Sequence, residues 1–305
     1  MSKVRTGARW AAAGTVLAVL VSQTPAVAAP SAVAAGAAHC DGVAYVVARQ
    51  RVAGTRDAQR SKGRRGDGRR VLGRLDMRTG AVRPIAPKPG LDALGYNTRD
   101  GLLYGVENSP VDGGSPNLIT IDPRDGATLA SVSLPPDAYT AGAISRDGLF
   151  YVRGRDDVTV MDVKAKPARI VRSFVLSSDV KLDDFAVRPA DGRIYGVDNA
   201  TGDLVRISPR TGVVKWFGGL ALGRVTAAFF DTSGTLRVAG ARIASVDVAK
   251  LPSRSKHLDV RRVGVLPVRP PKLLDGAGCL KGVPKLVSDA APPKIAPPST
   301  AAKSG

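Results

Sequence analysis

Apolar and polar positions alternate with a period of two along short runs that recur between residues 91 and 266. Such alternation is typical of half-buried β-strands. Each unit begins with an apolar run that ends at a turn, and three further runs follow the turn. In three units the turn contains Asp-Gly, a strong hairpin signal because both positions tolerate positive φ. The pattern therefore predicts repeated antiparallel units.

Complete units occur at residues 91–134, 140–176, 184–220 and 226–266. Four strands per unit, recurring every ~40–47 residues, are typical of β-propeller blades. We label the strands A to D from the axis outward. A single blade cannot bury both of its faces, so its neighbours must cover them in a ring.

Fragments at the two ends of the chain predict how this ring closes. Residues 41–46 match a B strand and its turn without an A strand, and residues 274–279 match an A strand without a B strand. We therefore predict an all-β propeller of about five four-stranded blades, in which the C-terminal A strand pairs with the N-terminal B strand. Six blades, one of them degenerate, are the alternative.

The two cysteines fall at this predicted junction. Cys40 and Cys279 align with positions three residues apart across a hairpin turn, where Cα atoms are close enough for a disulfide. The alternative is two unpaired buried thiols. An oxidising compartment would favour the bond.

The chain ends predict secretion. A basic start, a short apolar run at residues 10–21 and a small-x-small site at 26–28 predict a signal peptide over residues 1–28. Cleavage near residues 35–38 and an uncleaved anchor helix are alternatives. We further expect a linker over 29–39, a propeller domain over 40–280 and a disordered Pro/Ala/Lys tail over 281–305. The mature chain would lack a transmembrane segment and be extracellular or associated with the cell wall.

Charge and composition narrow the function. The chain has 45 Lys and Arg residues against 26 Asp and Glu residues, a net charge of +19. Two cysteines and two histidines exclude a Cys-based zinc cluster and a His-rich metal site, and aromatics at 5% are too few for a base-stacking platform.

The most basic segment is residues 49–70, with nine cations and two acids. As an insertion between strands B and C of the first blade, it should extend over one axial face and attract polyanions: teichoic acid, nucleic acid or anionic lipid. A cell-wall polymer is favoured, and no specific nucleic-acid site is expected. The alternative is a solvated insertion. The predicted polyanion-binding residues are Arg49, Arg51, Arg56, Arg60, Lys62, Arg64, Arg65, Arg69 and Arg70.

The same axial face, formed by D-to-A and B-to-C loops, collects polar residues that could bind a sugar, a peptide or a cation. The candidates are Asp92, Glu107, Asn108, Arg155, Asp184, Asp198, Asn199 and Arg224. The alternative is that Asp and Asn only make turns. No cofactor is expected, although carboxylates and turn carbonyls could hold Ca²⁺.

An enzymatic role has little support in the sequence. Neither a Gly-x-Ser-x-Gly elbow nor a His-Glu-x-x-His motif occurs. Paired carboxylates such as Asp183 and Asp184 could still perform glycosidase-type acid–base chemistry. We predict a monomeric binding or scaffold protein of the cell envelope; the alternative is an extracellular glycan-directed hydrolase or lyase.

Two structural features would distinguish these functions. Carboxylates that converge in one axial pocket, with a raised pKa, would favour the enzyme. An axis filled by apolar side chains beneath a basic rim would favour the binding protein. The residues expected to fill the axis are Leu94, Ile144, Val187 and Phe229.

Three motifs carry a family resemblance: Leu-Asp-Ala-Leu-Gly-Tyr-Asn at 91–97, Asp-Gly-Leu-Leu-Tyr-Gly-Val-Glu-Asn at 100–108, and Ile-Asp-Pro-Arg-Asp-Gly at 121–126. They resemble a secreted, uncharacterised propeller-like family of high-GC Gram-positive bacteria and, more loosely, YncE-type and NHL-type propellers. The resemblance spans roughly residues 40–280. It implies a propeller and an extracellular location, and carries no catalytic residues.

Overall fold

The computed structural model describes residues 40–49, 70–108, 114–249, 251, 263–266 and 272–281. All of them belong to one unit of the chain, residues 36–305. The predicted signal peptide, the linker over 29–39, the basic positions between 51 and 69, and the tail beyond 281 lie outside the described residues. In the described part, no helix is long and apolar enough to cross a membrane.

The described residues form twenty β-strands, which confirms the all-β class. They are β1 (Ala44–Arg49), β2 (Arg70–Leu75), β3 (Val82–Pro87), β4 (Leu91–Asn97), β5 (Leu102–Glu107), β6 (Asn117–Ile121), β7 (Thr128–Ser133), β8 (Ala141–Ile144), β9 (Leu149–Arg153), β10 (Asp157–Asp162), β11 (Arg169–Val175), β12 (Phe185–Val187), β13 (Ile194–Val197), β14 (Asp203–Ile207), β15 (Val214–Gly219), β16 (Val225–Asp231), β17 (Leu236–Gly240), β18 (Ile243–Val246), β19 (Val263–Leu266) and β20 (Leu273–Leu280).

The strands pair antiparallel in groups of four. Strands β4–β7, β8–β11 and β12–β15 form three separate four-stranded sheets, which confirms the predicted repeat unit. The other strands form one eight-stranded sheet in the order β19-β18-β17-β16-β20-β1-β2-β3. The sequence predicted two separate groups here, β16–β19 and β20 with β1–β3. The two groups form one sheet because β16 and β20 pair in parallel, with Phe230 opposite Cys279 and Asp231 opposite Leu280.

The predicted pairing of the two chain ends is confirmed. Strand β20 pairs antiparallel with β1, with Ala44 opposite Gly278 and Val47 opposite Asp275. The Cys40–Cys279 disulfide joins residues 239 positions apart, with their Cα atoms 5.1 Å from each other. Position 278 needs glycine because an added Cβ would collide with the carbonyl oxygen of Val43.

Three Asp-Gly turns share one tyrosine–aspartate hydrogen bond. In the turn between β4 and β5, Gly101 has φ of 72° and Asp100 accepts a hydrogen bond from the Tyr104 hydroxyl at 2.8 Å. The same bond joins Tyr45 to Asp41 at 2.5 Å and Tyr195 to Asp191 at 2.9 Å. Each bond fixes the strand to its turn, and each lets a buried tyrosine keep a hydrogen-bond partner.

Burial falls from the first strand of each group to the last. We call β4, β8, β12, β16 and β20 the inner strands; β4 and β16 are almost entirely buried, whereas β7 and β11 are mostly exposed. Strand β4 contacts β8 and β20, β8 contacts β12, and β12 contacts β16. Five clusters of buried apolar side chains form the core, and each draws on two neighbouring groups of strands.

Candidate functional site

The inner strands carry an equivalent polar position near their N-terminal ends. The five residues are Asp92, Thr140, Asp184, Thr226 and Asp275. Asp184 and Asp275 are 1% and 0% exposed, whereas the other three line a cavity. The repeat therefore builds a buried polar layer and an open site from the same position.

Asp184 accepts hydrogen bonds from three backbone amides. The donors are the N–H groups of Phe185 at 2.6 Å, Ala228 at 2.7 Å and Gly276 at 3.1 Å. Ala228 lies in β16 and Gly276 in β20. One carboxylate therefore fastens three inner strands together.

Asp275 faces Asp184 and shares its proton. Its carboxyl accepts the N–H of Leu94 in β4 and the N–H of Gly276 at 2.9 Å. Burial raises the pKa of both carboxyls well above the usual value, and the negative charge of Asp184 raises the pKa of Asp275 further. Two like charges so close together oppose double ionisation, so the pair holds a proton between its two carboxyls.

This pair meets part of the criterion for an enzyme, because two carboxyls converge and have raised pKa values. Neither carboxyl lines either of the two cavities described below, however, and a general acid must contact its substrate. The geometry gives Asp184 and Asp275 a structural role in holding β4, β12, β16 and β20 together.

A cavity of about 420 Å³ opens at the N-terminal ends of the inner strands. Its polar lining includes Arg49, Asp92, Asp183, Arg224, Thr226 and Lys272, and we call it the charged cavity. Both acids are paired. Arg70 Nη1 lies 2.5 Å from Asp92 Oδ2, and Arg224 forms an ion pair with Asp183. Burial raises the pKa of Asp92, an effect that the Arg70 guanidinium partly opposes.

A second cavity of about 480 Å³ opens at the C-terminal ends of the inner strands. Its lining includes Gly95, Gly142, Ile144, Val187, Phe229 and Cys279, and we call it the small-residue cavity. Ile144, Val187 and Phe229, which were expected to fill the axis, line this cavity. Val187 and Phe229 are also buried in core clusters, as is Leu94.

The aspartate pair separates the two cavities. Asp183 and Leu274 line the charged cavity, whereas Phe185 and Gly276 line the small-residue cavity. In the sequence, Asp184 lies between Asp183 and Phe185, and Asp275 lies between Leu274 and Gly276. A buried polar pair therefore lies between the two cavities, beside the apolar side chains that the sequence predicted.

A family model described as a repeat of unknown function, DUF6923, matches residues 86–281. That match covers more than half of the chain. The chain belongs to the DUF6923 family. No curated protein matches its sequence.

Solved structures similar to this DUF6923 chain have propeller-like repeats. A chain of a nidogen/laminin complex has a TM-score of 0.44 and 15% identity, over 80% of this chain and 83% of that one. Myxococcus xanthus glutaminyl cyclase has a TM-score of 0.41 and 9% identity, over 63% of this chain and 71% of that one. Virginiamycin B lyase from Staphylococcus aureus has a TM-score of 0.39 and 13% identity, over 63% of this chain and 65% of that one. At these TM-scores and identities, the similarity carries no information about a functional site.

Three of the binding residues predicted for this DUF6923 chain come together. Asp92 and Arg224 line the charged cavity, and Asn108 donates a hydrogen bond to Asp92 Oδ2 at 3.2 Å. Asn108 also bonds the carbonyl oxygen of Tyr139 at 2.8 Å, so it positions Asp92.

The other predicted residues lie apart from the charged cavity. Asp198 is buried and accepts the N–H groups of Lys181 and Ala200, both at 3.0 Å. Asn199 exchanges two 2.8 Å hydrogen bonds with the Val225 backbone. Glu107 is half-buried at the end of β5, and Arg155 is exposed.

Two of the nine predicted polyanion-binding residues are described. Arg49 ends β1, Arg70 begins β2, and the two are paired in register. Arg49 lines the charged cavity, and Arg70 forms an ion pair with Asp92. The basic segment therefore starts and finishes beside this cavity; its positions between 51 and 69 lie outside the described residues.

Thr226 and Lys272 line the charged cavity, and the sequence did not predict them as site residues. The repeat alignment contained the signal for Thr226, because it occupies the position of Asp92. Lys272 precedes β20, and no position of the repeat marks it as a site residue. Across the described residues, no group of three or more acidic, histidine or cysteine side chains is placed to hold a metal ion, so the calcium site stays a prediction.

Proposed function

We propose that this DUF6923 chain is a secreted binding protein that is held on an acidic polymer of the cell envelope by its basic segment, residues 49–70. One observation carries the proposal: the segment begins and ends at the charged cavity, through Arg49 and Arg70. Its net charge of +7 therefore adjoins a cavity that is itself lined by cations. A charged cleft concentrates ligands of opposite charge.

The fold that presents this surface is, in our proposal, a closed five-bladed propeller. The order of inner-strand contacts supports it, because β4, β8, β12, β16 and β20 follow one another and β20 contacts β4 again. The five core clusters support it too, since each lies between two successive groups of strands. A propeller blade needs such a neighbour on both faces.

The proposed location outside the cell rests on the disulfide and on the predicted signal peptide. The Cys40–Cys279 bond is consistent with an extracellular protein, because disulfides persist in oxidising compartments. Secretion brings the basic segment to the cell envelope, where acidic polymers are abundant partners for a cationic surface.

Sedimentation with purified cell walls tests the proposal. The key variant replaces residues 50–69 with Asn-Gly, a two-residue turn that suits the paired ends Arg49 and Arg70. We expect the mature protein to sediment with walls at low salt and to be released as salt rises, because screening weakens such contacts. We expect the variant to remain in the supernatant.

A position control asks whether exposed cations elsewhere on the protein also contribute to sedimentation. Arg169→Gln with Lys215→Gln removes two exposed cations on β11 and β15, far from residues 49–70 in sequence. This control should sediment as the natural chain does. Equal sedimentation of the natural chain and the Asn-Gly variant would overturn the proposal. Cleavage of wall glycans by the natural chain would instead favour the hydrolase or lyase.

A further inference from the structure

The charged cavity has more positive than negative charge to offer a ligand. Asp92 is paired with Arg70 and Asp183 with Arg224, so the two acids are neutralised. Arg49 and Lys272 also line the cavity. Within the described part of the chain, neither forms an ion pair, although the charge of Arg49 helps to lower the pKa of Asp92. The cavity therefore favours an anionic group beside these two cations.

The same cavity holds two buried polar atoms without partners. Arg49 Nε and Thr226 Oγ1 are shielded from solvent and make no hydrogen bond with any described residue. Such atoms are uncommon in native proteins and call for a bound partner. Both residues line the cavity, so these atoms lie beside the space that a ligand would occupy.

The carboxylates that line the cavity can still accept hydrogen bonds. Arg70 and Asn108 both donate to Oδ2 of Asp92, and Arg224 donates to Oδ2 of Asp183. No described residue donates to Oδ1 of either aspartate. These oxygens suit hydroxyl groups, as does the exposed Thr140 hydroxyl.

We propose that the charged cavity binds an acidic sugar. Its carboxylate would lie against Arg49 and Lys272, and its hydroxyls would bond Asp92, Asp183 and Thr226. A charge-assisted hydrogen bond to guanidinium is stronger than a neutral one, so the carboxylate would dominate affinity. The volume of about 420 Å³ lies within the range of small-ligand sites. This inference rests on the proposed binding role and is independent of residues 50–69.

Calorimetric titration with glucuronate and glucose tests the inference, because the two differ by the carboxylate. The protein is the mature chain with residues 50–69 replaced by Asn-Gly, so that the basic segment contributes nothing. We expect glucuronate to bind at least tenfold more tightly than glucose. Inorganic phosphate should bind more weakly than glucuronate, since it lacks the sugar hydroxyls.

Two variants locate the binding, and one controls for charge. Lys272→Gln should reduce glucuronate affinity at least tenfold without changing that for glucose. Thr226→Val keeps the side-chain shape and should weaken both sugars. Lys215→Gln removes an exposed cation on β15 and should change neither. Melting temperatures confirm that each variant folds.

The inference is overturned if glucuronate does not bind at millimolar concentration, if glucose binds equally well, or if Lys272→Gln has no effect. Phosphate binding equal to that of glucuronate would mean an anion site with no preference for sugars, and would also overturn it. Loss of cell-wall sedimentation, with glucuronate binding intact, would contradict the envelope role alone. The two proposals therefore fail separately.

Discussion

The two cavities lie at opposite ends of the same five strands, yet different forces explain their linings. At the small-residue cavity, packing fixes the residues: a Cβ at Gly95 would lie 2.8 Å from the Phe150 ring, and one at Gly142 would lie 2.7 Å from it. At the charged cavity, charge distinguishes the lining, because Arg49 and Lys272 lie beside two ion-paired aspartates. Charged residues that gather at one end of the strands are the better guide to function.

The layer between the cavities sharpens this comparison. Asp184 and Asp275 use the repeated polar position for structure, whereas Asp92 and Thr226 use it at the cavity wall. The same position in the repeat therefore serves stability in two units and faces an open site in others. Burial decides which role a residue has.

The largest expected effect is at the small-residue end, where the disulfide closes a long loop. Cys40→Ser with Cys279→Ser should lower the free energy of unfolding by roughly 5 kcal/mol, because the unfolded chain regains the entropy of an unlinked loop. Urea unfolding with and without reductant measures it. A loss below about 1 kcal/mol would show that the β1–β20 pairing needs no covalent link.

The central layer should respond differently to two matched substitutions. Asp184→Asn places an amide among the N–H groups of Phe185 and Ala228, and each buried donor without an acceptor costs about 1–3 kcal/mol. Asp275→Asn still donates to Asp184 and should cost less. Urea unfolding of the two variants ranks them. An equal loss would show that the amide introduced by Asp275→Asn does not replace the shared proton beside Asp184.

The shared proton also predicts how stability depends on pH. The folded pair has raised pKa values, so between the usual aspartate pKa and the raised one the folded state binds more protons than the unfolded state. Its stabilising contribution is complete at low pH and is lost as pH rises. Relative to the natural chain, Asp275→Asn should gain stability with pH, by up to about 1.4 kcal/mol per unit.

Unfolding free energies of both chains, measured from about pH 4 upward, provide this measurement. A difference that stays constant with pH would mean that the pair has no shared proton in the folded state.

The smallest effects are expected at the rim of the charged cavity. The Arg224 side chain is 71% exposed, so Arg224→Gln should change stability by less than about 0.5 kcal/mol. The Arg70 side chain is 20% exposed, and Arg70→Gln would leave Asp92 without its ion pair, so it should cost more. Thermal unfolding of the Arg224→Gln and Arg70→Gln variants measures the two losses of stability. The reverse ranking would mean that Asp92 does not depend on Arg70.

The fold was largely predictable because its signals are local. Alternation marks the strands, Asp-Gly marks the hairpins, and incomplete units at residues 41–46 and 274–279 predict the pairing of the chain ends. The parallel contact of Phe230 with Cys279 was not predictable, because it depends on how two groups of strands approach each other.

The site was only partly predictable. Asp92 and Arg224 were found because they occupy loops that the repeat brings to one face. Asp184 shared that pattern, but its contact with Asp275 lies 91 positions away, and periodicity carries no information about such a contact. Lys272 was missed because a single lysine before a strand has no pattern.

The most direct test of the account is to map where an acidic sugar binds. Backbone amide chemical shifts of the mature chain, recorded with increasing glucuronate, report on both ends of the inner strands. We predict progressive changes at Thr226, Lys272 and Leu273 beside the charged cavity, with Gly142 and Phe229 unchanged. Changes confined to Gly142 and Phe229, or no saturable change, would contradict the assignment of binding to the charged end.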